Sequence, residues 1–360
     1  MVRRSLSFQP TAVVRRQPLK QAKKEFESDV PAWQGLVFSA LAPMISAIFT
    51  NPWDVAKVRL QLQGELVRSG KGANVYSGTW DCLKKIYAYE GVPGLMKGLP
   101  AAFFREGSKN VFRLGCYEPV LNVLHRDPST KPPIWKKMIA GAISGSTGAV
   151  VSNPFEITKT RLQSQAADVI ATGYQHRYKN MWDALSGVAK REGIQGLFRG
   201  SKTSVIRSSM GTSTTIPAYT TLRDLLRPRL GDNAATDALA SIVSAIITGF
   251  VINPVDVIRT RIYNQGLNPD GTGKLYKNAL DACVKIVASE GPSALMKGLG
   301  PSLLRIGPHV VLTFVLLEQF KRMAKKRIKR TTTGTKVVRI RARLRQGQRL
   351  RQNIAVQKQF

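Results

Sequence analysis

The chain has 360 residues, a formal charge of +33 and three cysteines. Cys82, Cys116 and Cys283 are too few and too scattered for a disulfide framework or a zinc site. The charge invites a nucleic-acid reading, but residues 1–24 hold seven of the bases and residues 321–360 fifteen, with no acid in either stretch, so most of the excess belongs to the ends and not to a folded surface.

Taken in chain order, residues 1–29 read as a basic arm. Arg3, Arg4, Arg15 and Arg16 precede the first acid, Glu25, and the arm lacks the apolar run of a secretory signal. It is similar to a mitochondrial targeting segment. Residues 326–360 read as a second basic arm, and both arms are expected to be disordered. Polybasic ends are usually solvated and drawn to anionic surfaces. "VVRIRARLRQGQRLR" interleaves no aromatic residue with its bases, so nucleic acid is not the expected partner, although a basic tethering protein is the alternative class to test against.

Residues 30–53 carry no charge. That is enough helix to cross a bilayer core of about 30 Å. The stretch runs into "NPWDVAKVRL", beginning at Asn51. Proline breaks a helix, and charges at membrane depth are costly unless paired or wet. The repeat of this motif resolves the conflict. "NPFEITKTRL" begins at Asn153 and "NPVDVIRTRI" at Asn253, so Pro52, Pro154 and Pro254 lie 102 and 100 residues apart. A second motif follows each: "YSGTWDCLKKIYAYEG" at Tyr76, "YKNMWDALSGVAKREG" at Tyr178 and "YKNALDACVKIVASEG" at Tyr276. A third follows that: "GLMKGL", "GLFRGS" and "ALMKGL". Three ordered motifs recurring three times mark an internal repeat.

Each repeat predicts an apolar helix, a loop with a short helix, and a second long helix. Residues 138–155 and 238–255 match the uncharged run at 30–53. The second helices, about 99–124, 201–226 and 299–323, are more polar and are expected to line water. The fold class is therefore all-α membrane protein. Repeats are expected at 30–128, 129–231 and 232–325. The sequence offers no nucleophile–base set, metal cluster or phosphate loop, so no enzyme and no cofactor is expected.

The triplicated Pro-x-acid-x-x-base-x-base pattern resembles the mitochondrial carrier family over about residues 30–325. The resemblance implies six transmembrane helices in three pseudo-symmetric repeats, three short matrix helices, and alternating access in the inner membrane. Both termini would face the intermembrane space. It also implies a matrix gate in which Asp54 pairs with Lys159, Glu156 with Arg259, and Asp256 with Lys57, so that three acids and three bases cancel. Gln61, Gln163 and Tyr263 match brace positions beneath those pairs. The opposite, cytosolic gate keeps Glu118, Arg223, Glu318 and Lys321, with Leu121 and Thr220 standing where charges are expected. It is expected to be the weaker gate.

Seven residues past the last glycine of each third motif stand Arg105, Arg207 and Arg305, which match the family's substrate contact positions. Arginine stays charged and offers a planar fork for carboxylate or sulfate. Lys109 and Arg113 share the helix face of Arg105, and Ser208 adjoins Arg207. Glu106 or His309 is a candidate proton site. Within the family the likeness is to the oxaloacetate/sulfate carriers, on "RLGCYEP", "TRIYNQ", "RIGPH" and "LQLQGEL"; Lys109 is more like tricarboxylate and succinate/fumarate carriers. Cardiolipin and inner-membrane lipid are implied at Gly78, Gly98, Gly200 and Gly298, where helix starts expose N–H groups to phosphate. The carrier is expected to act as a monomer on a small anionic metabolite.

Overall fold

The computed structural model describes residues 32–65, 75–126, 132–231, 233–268 and 272–324. Both basic arms, with their expected disorder, lie outside the described residues. The larger of two units, Leu36–Gln319, holds the three repeats; the smaller joins Met1–Gly35 to Phe320–Phe360.

Among the described residues the chain is all-α. Its helices are α1 (Ala32–Leu62), α2 (Thr79–Leu95), α3 (Leu99–Leu124), α4 (Ile134–Val151), α5 (Asn153–Ser164), α6 (Met181–Leu197), α7 (Ser201–Leu230), α8 (Ala234–Asn264) and α9 (Ala279–Glu290). Residues 299–324 form α10. By length and composition three described segments can cross a membrane: Trp33–Leu62, Thr236–Asn264 and Pro292–Ala324. Of the three motif prolines only Pro154 stands at a helix boundary, where α4 ends and α5 begins around Ser152. Pro52 and Pro254 lie inside continuous helices.

Helices α3, α4, α7 and α8 pack as successive neighbours. Small residues permit this: a Cβ on Gly148 would lie 2.7 Å from the Lys109 carbonyl. The series closes on α1, where Thr313 donates to the Ser46 hydroxyl at 2.9 Å and His309 Nδ1 lies 3.3 Å from Thr50 Oγ1.

Each short helix ends or bends at the glycine of its "EG" pair. Gly91, Gly193 and Gly291 have φ of 65°, 68° and 85°, a left-handed backbone that favours glycine. The asparagine before each motif proline then ties this turn down. Asn51 donates to the carbonyls of Leu95 and Lys97, Asn153 to Leu197 and Arg199, and Asn253 to Leu295 and Lys297, at 2.8–3.3 Å. The side chain thus anchors the start of the second long helix to the end of the first, which fixes the depth at which the arginines of α3, α7 and α10 enter.

Candidate functional site

The first base of each motif reaches the acid of the preceding repeat. Lys159 Nζ lies 2.7 Å from Asp54 Oδ2, Arg259 Nη2 lies 3.2 Å from Glu156 Oε1, and Lys57 Nζ lies 2.6 Å from Asp256 Oδ2. These are the three pairs that the resemblance to the carrier family implies. Acid and base of one copy are three residues apart on one helix face, so each acid can serve a neighbouring repeat only where the three helix ends meet.

The second oxygen of each carboxylate is also taken. Arg305 Nε lies 3.2 Å from Asp54 Oδ1, Arg105 Nη1 lies 3.1 Å from Glu156 Oε2, and Arg207 Nε bonds Asp256 Oδ1. Every acid therefore bridges one motif base and one arginine from a second long helix. Together with Val58, Gln61, Thr160, Gln163 and Thr260, these groups other than Asp256 line a polar cavity with about 40 Å³ of room for water. Gln61 Nε2, Arg105 Nε and Arg259 Nε, all on this lining, are buried donors without a protein acceptor.

The brace residues bond differently from the expectation. Gln163 Nε2 donates to Asn51 Oδ1 at 3.1 Å, and the Tyr263 hydroxyl donates to Asn153 Oδ1 at 2.5 Å. Gln61 Oε1 accepts from Thr260 at 2.7 Å. Their hydrogen bonds go to neighbours of the ion pairs and not to the charged groups. Tyr263 still supports the ring through its face, with the Arg259 guanidinium 5.8 Å from the ring centroid.

Other candidates disperse. The Ser208 hydroxyl packs against Gly145 of α4, where a Cβ would lie 2.8 Å from it, so it sits between helices and off the cavity lining. Lys109 is half-buried and makes no hydrogen bond or ion pair among the described residues, and Arg113 is exposed. The Thr50 hydroxyl donates to the Ser46 carbonyl at 3.1 Å, so His309 Nδ1 serves as its donor, as a packing histidine would. Glu106 is buried against Arg105 and accepts from Asn110 at 3.5 Å. Glu118 has no ion-pair partner among the described residues. Arg223 Nε lies 2.7 Å from Asp237 Oδ1 at the start of α8, an acid the sequence reading passed over. Glu318 and Lys321 lie on α10, Lys321 in the smaller unit.

A second ion-pair set, built on three fully buried arginines, escaped the sequence reading. Arg59 is held by Glu90 at 2.7 Å, Arg161 by Glu192, and Arg261 by Glu290 at 2.5 Å. The acids are those of the "EG" pairs, and Lys97 and Lys297 add to Glu90 and Glu290 at 2.6 and 2.7 Å. The recurring interval of 31, 31 and 29 residues from arginine to glutamate was the available signal.

The loop between α5 and α6 lies against all three repeats. Tyr76 donates to the Ile170 carbonyl at 2.6 Å, Thr172 to the Arg59 carbonyl at 3.2 Å, and Asn264 to the Tyr174 carbonyl at 3.1 Å. His176 Nε2 lies 2.9 Å from the Asn264 carbonyl. Burial, reinforced by the Arg161 charge, pushes His176 down to about 3.

The glycines proposed for lipid have distinct local roles. Gly98, Gly200 and Gly298 have φ of 72°, 71° and 74° and open α3, α7 and α10. Gly78 is extended, and its counterparts Asn180 and Asn278 cap α6 and α9 by accepting from Asp183 and Asp281 at 2.9 Å.

Comparison with known proteins agrees with this threefold construction. The family model described as "Mitochondrial carrier protein" matches residues 28–128, 130–230 and 231–327. A mitochondrial oxaloacetate transport protein of Saccharomyces cerevisiae is 36% identical over 83% of this chain and 92% of its own. A mitochondrial citrate transporter E of Aspergillus niger is 35% identical over 77% and 89%. A probable mitochondrial 2-oxoglutarate/malate carrier protein of Dictyostelium discoideum is 33% identical over 85% and 96%. A ring of acids and bases drawn from three Pro-x-acid motifs, in a chain matched by the family across all three repeats, makes this protein a member of the mitochondrial carrier family.

Proposed function

We propose that this chain moves small multivalent organic anions across the mitochondrial inner membrane by alternating access, with dicarboxylates and keto acids such as oxaloacetate or malonate as substrates and sulfate as a further one. The observation that carries this reading is the placement of Arg105, Arg207 and Arg305, one from each repeat, on the second oxygens of the three motif carboxylates. An anion that reaches these arginines competes for the same N–H groups. As it draws them away, each carboxylate loses one of its two bases and the floor loosens. Buried pairs suit such a gate because desolvation offsets much of their Coulomb attraction. Full population of the opposite state needs about 5 kcal/mol of differential binding, within reach of two bidentate arginine–carboxylate contacts. A cavity with this excess of bases attracts anions and repels cations.

The names of the relatives support an anion of this class. A tricarboxylate is the second reading, favoured by Lys109, which stands one turn beyond Arg105 without a protein partner. Uptake and exchange in liposomes holding the purified protein, across labelled malonate, oxaloacetate, citrate and sulfate, tests both. Failure to move any of them overturns the reading. Purified protein that exchanges a labelled anion as a monomer would meet the further expectation that one chain suffices, since all three repeats come from one chain. Inner-membrane lipid would fit the groove of about 1250 Å³ where the start of α7, with Gly200 and Lys202, faces Lys277 and Asn278. Six crossings would leave both termini on the intermembrane-space side; protease protection in intact mitochondria tests that arrangement.

A further inference from the structure

We propose that Glu106 sets the charge of the anion this carrier accepts, by occupying one of the three arginines as an internal counter-carboxylate. The inference rests on the reading of Arg105, Arg207 and Arg305 as anion contacts, and it breaks their apparent equivalence.

The three arginines are not equally available. Arg207 and Arg305 each bond one carboxylate, and their side chains keep 25% and 23% exposure. Arg105 bonds two, Glu156 through Nη1 and Glu106 through Nη2, and keeps 8%. Its neighbour in sequence makes the difference. Repeats two and three have Ser208 and Ile306 at the position of Glu106, and neither can neutralise an arginine. Glu106 is itself buried, and its other oxygen meets only Asn110, at 3.5 Å. An uncompensated carboxylate there would be costly, so it stays with Arg105 unless its charge is removed.

The charge count follows. The cavity lining carries six bases, Lys57, Lys159, Arg105, Arg207, Arg259 and Arg305, against Asp54 and Glu156, with Asp256 off the lining but paired to Lys57 and Arg207. Glu106, behind Arg105, lowers the excess from three charges to two. Lys109, like Glu106, lies off this lining, but unlike Glu106 it forms no ion pair with a lining residue among the described residues. A divalent anion therefore neutralises the site, with Arg207 and Arg305 as the open forks. A third carboxylate would meet an arginine already spent. Glu106 bonds Nη2 of the edge that Nη2 and Nε form, and Nε is buried without an acceptor. With the Glu106 charge gone, that edge can take a carboxylate in bidentate fashion.

Glu106→Gln and Glu106→Ser test this, the second placing there the residue that repeat two carries. Purified wild type and variants are reconstituted in liposomes, and kcat/KM is measured for labelled malonate and citrate at one pH. The citrate-to-malonate ratio is expected to rise about tenfold or more in both variants, the scale of one desolvated charge contact. Glu106→Asp, which keeps the charge, is expected to retain the wild-type ratio. A ratio within about twofold of wild type in a folded neutral variant overturns the inference. So does the failure of both neutral variants to fold while Glu106→Asp folds, since the carboxylate would then be structural. A wild-type protein that moves neither anion overturns the underlying reading of the arginines instead.

Discussion

Arg261 Nε donates to the main-chain carbonyl of Gln61, 200 residues earlier, at 3.0 Å. The same relation recurs around the threefold: Arg59 donates to the Gln163 carbonyl at 3.3 Å and Arg161 to the Tyr263 carbonyl at 2.9 Å. Each of these arginines is clamped by the glutamate of its own repeat, so one guanidinium serves both the local turn and the next repeat. The residues that close the cavity floor are thereby laced to one another beneath the ion-pair ring.

Glu290→Gln should be strongly destabilising. It leaves the fully buried Arg261 charge without its carboxylate, a loss of about 3–5 kcal/mol when one partner of a buried pair is removed. Lys297 loses its acid as well. Thermal unfolding in detergent is the measurement, and a shift no larger than that of an exposed-surface control would show the pair to be dispensable.

Asp54→Asn should separate two roles of one carboxylate. It removes the partner of Lys159 and, at the same time, of Arg305. Apparent affinity for a dicarboxylate should rise several-fold because Arg305 is no longer shared, while exchange slows because the ring reseals poorly. Initial-rate kinetics in liposomes distinguish this from simple loss of protein, which lowers kcat and leaves KM alone.

Substitution of alanine at Gly200 should cost more than at Gly98 or Gly298. All three require a left-handed backbone, which costs other residues about 1–2 kcal/mol. A Cβ at Gly200 would also lie 2.5 Å from Tyr263 Cε1, a rigid ring, whereas Gly98 and Gly298 would meet the flexible chains of Gln163 and Gln61 at 2.9 and 2.7 Å. Melting temperatures of the three variants give the order directly.

Acid should weaken the loop between α5 and α6. His176 falls from 6.5 to about 3 in the folded protein, so the unfolded chain binds its proton first. Stability contributed by the neutral imidazole is complete above pH 6.5 and is lost as the pH falls from there toward 3. Melting temperature measured between pH 7 and pH 5 should drop more for wild type than for His176→Gln, which retains a donor for the Asn264 carbonyl. Equal slopes would show that this ring does not control the response.

Loosening the same loop should favour opening on its side. Tyr76→Phe removes the hydroxyl bonded to the Ile170 carbonyl, worth about 0.5–1.5 kcal/mol. A single cysteine introduced at Val58, on the cavity lining, should then react faster with a thiol reagent applied from the loop's side. An unchanged rate would show that the loop does not hold the floor shut.

The sequence by itself determined the repeat, the all-helical class and the shared register of the three arginines, while the resemblance to the carrier family implied the three acid–base pairs. The first set is written locally: a motif of eight residues places an acid and a base on one helix face, and it recurs three times. Tertiary structure decided how each remaining valence is used. Glu90 and Arg59 are 31 residues apart and meet because the short helix packs back on α1, with Cys82 and Ile86 against Val55 and Ala56. Gln163 bonds Asn51 of another repeat and not an ion pair. Arg105, Arg207 and Arg305 look alike in sequence, yet only Arg105 is closed off, by a neighbour whose orientation no spacing rule specifies. Local periodicity fixes which face a side chain occupies, whereas the choice among several partners on that face depends on distances between separate helices.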